Sequence, residues 1–301
     1  VVLTLARTPV STDSQTSRPV VRPLIERFGF HHLLATTLVL VAATILLGVA
    51  AKATGSGLAC EANWPQCDAG PYNLLPANLP SFYEWFHRFV AMFAGFAIIG
   101  TALASIRLPD VDRRVVALVV AGMILTPIQV VLGRETVTQY TMNILSLHFW
   151  TAVLIFALFV VATVLVWGPR LTATHVSGAL GLGLLSLPFH VALSPLVVGD
   201  ITSYSPSVQM AQYGVTLALL TAVIVAPMVG HRRFASGRLT ALLSGSTVMA
   251  MAVIFLGRRA VMTFNPALDY LYVIAAGVLF ATFAVALYLT RRAAGASERA
   301  R

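Results

Sequence analysis

Eight continuous apolar runs, at 31–52, 81–106, 115–133, 144–167, 172–195, 208–230, 239–257 and 268–290, constrain this chain more than any other feature. Each is long enough to cross a bilayer core, which takes about 20 residues of helix. In hydrocarbon the backbone polar groups must be satisfied within the segment, so helices are the expected form. The runs are continuously apolar, which argues against a β-barrel, whose strands alternate. Composition agrees: 58% of residues are hydrophobic and 10% charged, against roughly a quarter charged in soluble domains. The fold class expected is an all-α polytopic membrane protein with eight transmembrane helices.

The net charge of +9 raises the question of nucleic acid, and its distribution argues against it. With the N-terminus inside, the inner segments hold 15 of the 20 Lys and Arg, leaving Lys52, Arg88, Arg134, Arg258 and Arg259 outside. This is the positive-inside bias. It puts both termini of a cell-membrane protein on the cytoplasmic side, as an even number of spans requires. Residues 1–30 read as a cytoplasmic segment and 291–301 as a cytoplasmic tail. The run at 31–52 is far longer than a signal-peptide core and is expected to stay as the first helix.

Ionisable groups inside these runs are costly and usually functional. His87 lies about two turns into the second helix and His148 about one turn into the fourth, and both helices run inward. Their depths match, near the outer leaflet. Two such imidazoles can hold a haem iron between helices, or another transition metal. They can also simply hydrogen-bond two helices together. Glu84 precedes His87 by three residues and shares its face. There it serves as a proton-transfer group, as the partner of Arg88 in a salt bridge, or as an interfacial carboxylate. Phe82, Tyr83, Trp85, Phe86, Phe89, Phe93 and Phe149 surround this region, which suits a large apolar ligand and equally an interfacial aromatic belt.

The longest outer connection, 53–80, carries the chain's two cysteines, Cys60 and Cys67. Both fall on the oxidising side, where a disulfide persists. Such a bridge is either structural or a site of thiol exchange; no Cys/His cluster here suggests zinc. In the next outer loop Arg134 is placed either to pair with a ligand carboxylate or to sit at the interface. Lys52 and Arg88 have the same two readings. The third outer loop, near 196–207, carries no recognisable chemistry.

A degenerate repeat runs through the chain at an offset of 124 residues: Leu132-Gly133-Arg134 and Val137 return as Leu256-Gly257-Arg258 and Val261. Both copies are expected at a helix end and outer loop. Four helices restore the starting side, so the repeat implies two pseudo-symmetric four-helix bundles, 31–167 and 168–290. The second copy has Tyr272 for His148 and, with a one-residue adjustment, Gln209 and Gln212 for Glu84 and His87. Its only histidine at the right depth is His190, two residues after a helix-bending Pro188.

Taken together, the Thr54–Cys67 loop, Glu84–Arg88, the Gln129–Thr136 segment and His148, in this order, resemble the haem A synthase family over most of the chain. The resemblance implies that the first half binds haem O between His87 and His148, with Glu84 as the catalytic carboxylate. It implies oxidation of a porphyrin methyl to a formyl, giving haem A, by successive hydroxylations and loss of water. It also implies a second, b-type haem in the second half, a departure there being Gln212 and Tyr272. The partners implied are haem O synthase, the cytochrome oxidase assembly machinery and a membrane electron donor. A b-type electron carrier is the alternative; Glu84 separates the two, because electron transfer alone needs no carboxylate there. A transporter or haem chaperone rests on the repeat alone.

Overall fold

The computed structural model describes residues 29–60, 64, 67, 75–201, 203–263 and 265–299. The N-terminal segment, but for its last two residues, lies outside them. Eight of the described helices are long and apolar enough to cross a membrane, so the chain is a multi-pass membrane protein. They are α1 (Phe30–Ala53), α2 (Leu79–Arg107), α3 (Arg113–Thr138), α4 (Met142–Trp167), α5 (Ala173–Ala192), α6 (Pro206–Arg233), α7 (Gly237–Met262) and α8 (Pro266–Arg299).

Local sequence sets where most of them begin. The side chains of Asn78, Asp112, Thr141, Ser205 and Ser236 accept backbone N–H groups at the starts of α2, α3, α4, α6 and α7. These caps satisfy donors that a helix start leaves open. His175 has the same duty at α5, its Nδ1 accepting the Thr172 backbone N–H at 3.0 Å.

Three boundaries differ from the sequence reading, each for a local reason. The helices carrying the repeat extend past the glycine: α3 runs to Thr138 and α7 to Met262, so Arg134 and Arg258 lie within helices and not in loops. Arg, Ala, Val and Met continue a helix readily, and nothing in Arg258–Met262 breaks it. The segment near 196–207 contains a short helix, Pro195–Ile201, whose first turn forms when the Ser194 carbonyl accepts from Val197 and Val198. Proline suits the first position of a helix. Finally, α8 continues to Arg299, through most of the expected tail.

In the packing, α2 and α4 each contact both α1 and α3, and α6 and α8 each contact both α5 and α7. The two sets meet where α1 and α4 lie on α6. Close approach depends on small residues, as in other membrane helices. Phe159 of α4 fills the space beside Gly122 of α3, and Phe283 of α8 fills the space beside Gly183 of α5. Both rings are fully buried and occupy positions 124 residues apart. Between α1 and α2, the Thr37 and Thr101 hydroxyls bond at 2.8 Å.

A side-chain carbon at Gly183 would lie 2.6 Å from Phe283 Cε2, whereas none lies within 4 Å of one at Gly178. Gly183→Leu should therefore destabilise the protein by about 1–3 kcal/mol through overpacking. Gly178→Ala, on the same helix, should be neutral or slightly stabilising. Thermal unfolding of both variants in detergent checks this; equal shifts would contradict the packing described.

Candidate functional site

A cleft of about 1420 Å³ is lined by residues of α1, α2, α3, α4, α6 and α7 and of the cysteine loop. Pockets for small organic ligands run to roughly 1,000 Å³, so this one suits a larger ligand. His87 and His148 both line it, with Glu84 and Arg88. The two histidines singled out in the sequence therefore share one cavity.

Each imidazole occupies a place where the facing helix has no side chain. A carbon at Gly48 of α1 would lie 3.0 Å from His87 Nε2, and one at Gly133 of α3 would lie 3.1 Å from His148 Cε1. Gln129 reaches His148 across the cleft wall, its Nε2 being 3.4 Å from His148 Nε2. The Nδ1 atoms of both histidines are buried and, among the described residues, have no hydrogen-bond partner. Buried polar atoms are nearly always satisfied, so such exceptions call for an explanation. Both rings nevertheless line the cleft, through atoms other than these enclosed nitrogens.

Glu84 is buried on the same face of α2. Its Oε1 accepts from Arg88 Nε at 2.8 Å, and its Oε2 lies 4.0 Å from His87 Nδ1. The salt bridge expected as one reading of Glu84 thus forms, and it holds the carboxylate beside the imidazole. Among the surrounding rings, Trp85, Phe89 and Phe149 line the cleft, while Phe82, Tyr83 and Phe93 are exposed on the outside of the helix.

Cys60 and Cys67 are joined in a disulfide. Between them Trp64 reaches the cleft, as do Gly55 and Gly57 at the start of the loop. Gly55 has φ of 71°, the left-handed conformation in which glycine commonly ends a helix. The turn it makes at the end of α1 directs the loop over the cleft.

Arg134 does not line this cleft. Its side chain is half exposed, and its Nε lies 3.6 Å from Glu135 Oε1. Instead Arg258, its counterpart in the repeat, is buried at the cleft wall. The sequence reading missed it; the available signal was Arg259, which stands in the second copy where Glu135 pairs with Arg134.

His190 is separated from the cleft and tied into a different network. Its Nδ1 bonds the Tyr272 hydroxyl at 2.6 Å, and that hydroxyl also donates to the His190 carbonyl at 3.0 Å. Gln212 donates to the same carbonyl at 3.4 Å and accepts from the Tyr204 hydroxyl. Burial pushes the Tyr204 phenol above its ordinary range, which keeps it a neutral donor. Gly257 gives His190 and Tyr272 their room, as Gly133 does for His148. The cavity left beside this network is about 10 Å³, room for about one water molecule.

Among the described residues no group of three or more His, Cys, Asp or Glu could hold a bare metal ion. Two imidazoles without further protein donors are the set that suits a haem iron, because the porphyrin nitrogens complete the coordination.

No protein-family model and no solved structure matches the chain. It is 30% identical to the Heme A synthase of Bacillus licheniformis over 121 residues, 40% of this chain and 39% of that protein. It is 33% identical over 139 residues to the Protoheme IX farnesyltransferase of Haloarcula marismortui, 46% of this chain and 29% of that protein. The corresponding enzyme of Halobacterium salinarum is 32% identical over 134 residues, 44% and 28% of the two chains. The chain thus spans under two fifths of the length of these curated relatives.

The disulfide makes a direct prediction. A thiol-alkylating reagent added to the unfolded, unreduced protein should give no mass increase, and after reduction both Cys60 and Cys67 should be labelled. Labelling before reduction would show that the bridge is absent.

Proposed function

We propose that this chain, a homologue of haem A synthase over part of its length, oxidises a methyl group of haem O to the formyl group of haem A. In this reading His87 and His148 hold the substrate and Glu84 is the catalytic carboxylate. The observation that carries the reading is the cleft itself: two partly unsatisfied imidazoles and a buried carboxylate open on one cavity large enough for a porphyrin. The printed names of the relatives, which all concern haem, support a haem-processing role.

The reaction converts CH3 to CH2OH, then to CH(OH)2, each step a two-electron oxidation that takes its oxygen atom from an external source, dioxygen with a reductant or water with an electron acceptor, and the diol loses water to give CHO. The haem brings the redox-active iron. The protein's part is to fix the ring, exclude water and move protons. Gly48 and Gly133 set the imidazole positions, and Trp85, Phe89 and Phe149 provide apolar surface for the macrocycle and its tail. Glu84 takes a proton from the hydroxylated carbon's substituent as the geminal diol collapses, or returns one to the departing water. Arg88 orients the carboxylate through its bond to Oε1, leaving Oε2 on the His87 side.

A second, b-type haem does not fit the second set of helices. His190 is engaged by Tyr272, and Gln212 and Tyr204 close the space an axial ligand would need. No step is derived through it. The contacts Gly133–His148 and Gly257–Tyr272 correspond at the 124-residue offset, which supports two pseudo-symmetric four-helix halves, 31–167 and 168–290. The charge distribution supports cytoplasmic termini. The further partners in this reading are haem O synthase, the cytochrome oxidase assembly machinery and a membrane electron donor. The Glu84–Arg88 ion pair also suits a structural carboxylate, and so a b-type electron carrier.

The two readings separate in one experiment. The protein is incubated with haem O and reductant in a membrane lacking other haem A synthase, and the extracted haem is weighed by mass spectrometry. The wild type should yield hydroxylated haem and haem A. Glu84→Gln should keep its haem but convert it about 10²–10⁴-fold more slowly, the usual scale of general acid–base catalysis. His87→Ala should lose most bound haem. Unmodified haem from the wild type would favour the electron carrier.

A further inference from the structure

Three cations, Lys52, Arg88 and Arg258, line the cleft together with one carboxylate, Glu84, among the described residues. Glu84 is committed to Arg88. No carboxylate lies within ion-pair distance of Lys52 or Arg258 among the described residues. Among the described residues the cleft therefore carries two cations, Lys52 and Arg258, that no carboxylate pairs with.

Arg258 is the more constrained of the two. It is 8% exposed, and its Nε has no hydrogen-bond partner among the described residues. One terminal nitrogen donates to the Tyr213 hydroxyl. The guanidinium lies over the Phe149 ring, 4.7 Å from its centre. A guanidinium so far removed from water is expensive unless an anion or a complete set of acceptors meets it. A phenol and a ring face supply part of that requirement. Phe149, Arg258 and His148 line the same cleft, so this charge and one imidazole share its wall. Lys52 stands beside the other: it is one turn from Gly48, on the same face of α1, and Gly48 is the residue His87 packs on.

We infer that Lys52 and Arg258 form a two-point carboxylate site on the cleft wall, which takes the paired propionates of a porphyrin and fixes which edge of the ring faces Glu84. The inference rests on the haem reading above. Arg258 comes from the second set of helices, so the cleft is completed across the two sets: α2 and α4 carry the imidazoles, and α1 and α7 carry the cations. Guanidinium to carboxylate is the strong, directional form of this contact, and Arg258 retains an unused N–H to make it. Its repeat counterpart Arg134 cannot serve, because it is half exposed and paired with Glu135.

The test uses the full chain in phosphatidylcholine nanodiscs, titrated with ferric haem O and with its dimethyl ester, whose propionates are neutral. Binding is followed by the shift of the main haem absorption band. The wild type should bind the free acid more tightly than the ester, by about tenfold or more, the scale of one charge-assisted hydrogen bond. In Arg258→Gln and in Lys52→Gln the advantage should shrink while ester affinity stays unchanged; the milder Lys52 variant decides if Arg258→Gln fails to fold. Equal affinity of the wild type for acid and ester overturns the carboxylate site and leaves the haem reading standing. No spectral shift with either compound overturns both. If the advantage vanishes when phosphatidylglycerol is added, the site belongs to lipid phosphates, which also overturns the proposal.

Discussion

The architecture depends on one steric constraint: His87, His148 and His190 each stand where a facing helix carries glycine. His87 faces Gly48, His148 faces Gly133 and His190 faces Gly257. A polar ring inside an apolar bundle has to be placed tightly, because a loose one leaves either a void or an unsatisfied nitrogen. Glycine allows the ring edge to approach the neighbouring backbone and fixes it there. In the first set of helices this arrangement leaves two enclosed Nδ1 atoms without a partner among the described residues, in rings that line a large cavity. In the second it leaves the ring engaged by a tyrosine and almost no cavity.

That contrast explains how one repeat yields two different interiors. At the equivalent of His148 stands Tyr272, whose hydroxyl can satisfy a histidine internally. At the equivalent of His87 stands Gln212, which offers both a donor and an acceptor. Together with Tyr204 they saturate one another, so the second set of helices is a closed polar network. It is also the platform from which α7 places Arg258 at the first cavity. The second set of helices thus lines the cleft with Gln209, Tyr213 and Arg258, and none of these is a histidine.

Much of this was legible in the sequence. The helices were legible because continuous apolar runs of bilayer length leave few alternatives, and His87, His148 and Glu84 because ionisable residues stand out in such runs. The cysteine pair was legible through its place in an outer loop. Helix ends were not: Arg258 and Arg259 look like the start of a loop, yet arginine propagates a helix well, and α7 continues to Met262. That single extension decides whether Arg258 faces water or the cleft. The placing of Arg134 outside the cleft was not legible either, since its local partner, Glu135, is visible in the sequence only by its position and not by its geometry. Gly48 carried no signal at all, because glycine is common in membrane helices and its neighbour was unknown.

The account stands on two imidazoles from α2 and α4 engaging one haem. Electron paramagnetic resonance of the ferric haem O complex tests this most directly. The wild type should give a low-spin signal characteristic of two imidazole ligands, and removing either His87 or His148 alone should convert it to a high-spin one. A wild-type complex that is high-spin, or a low-spin signal that survives loss of His148, would contradict it.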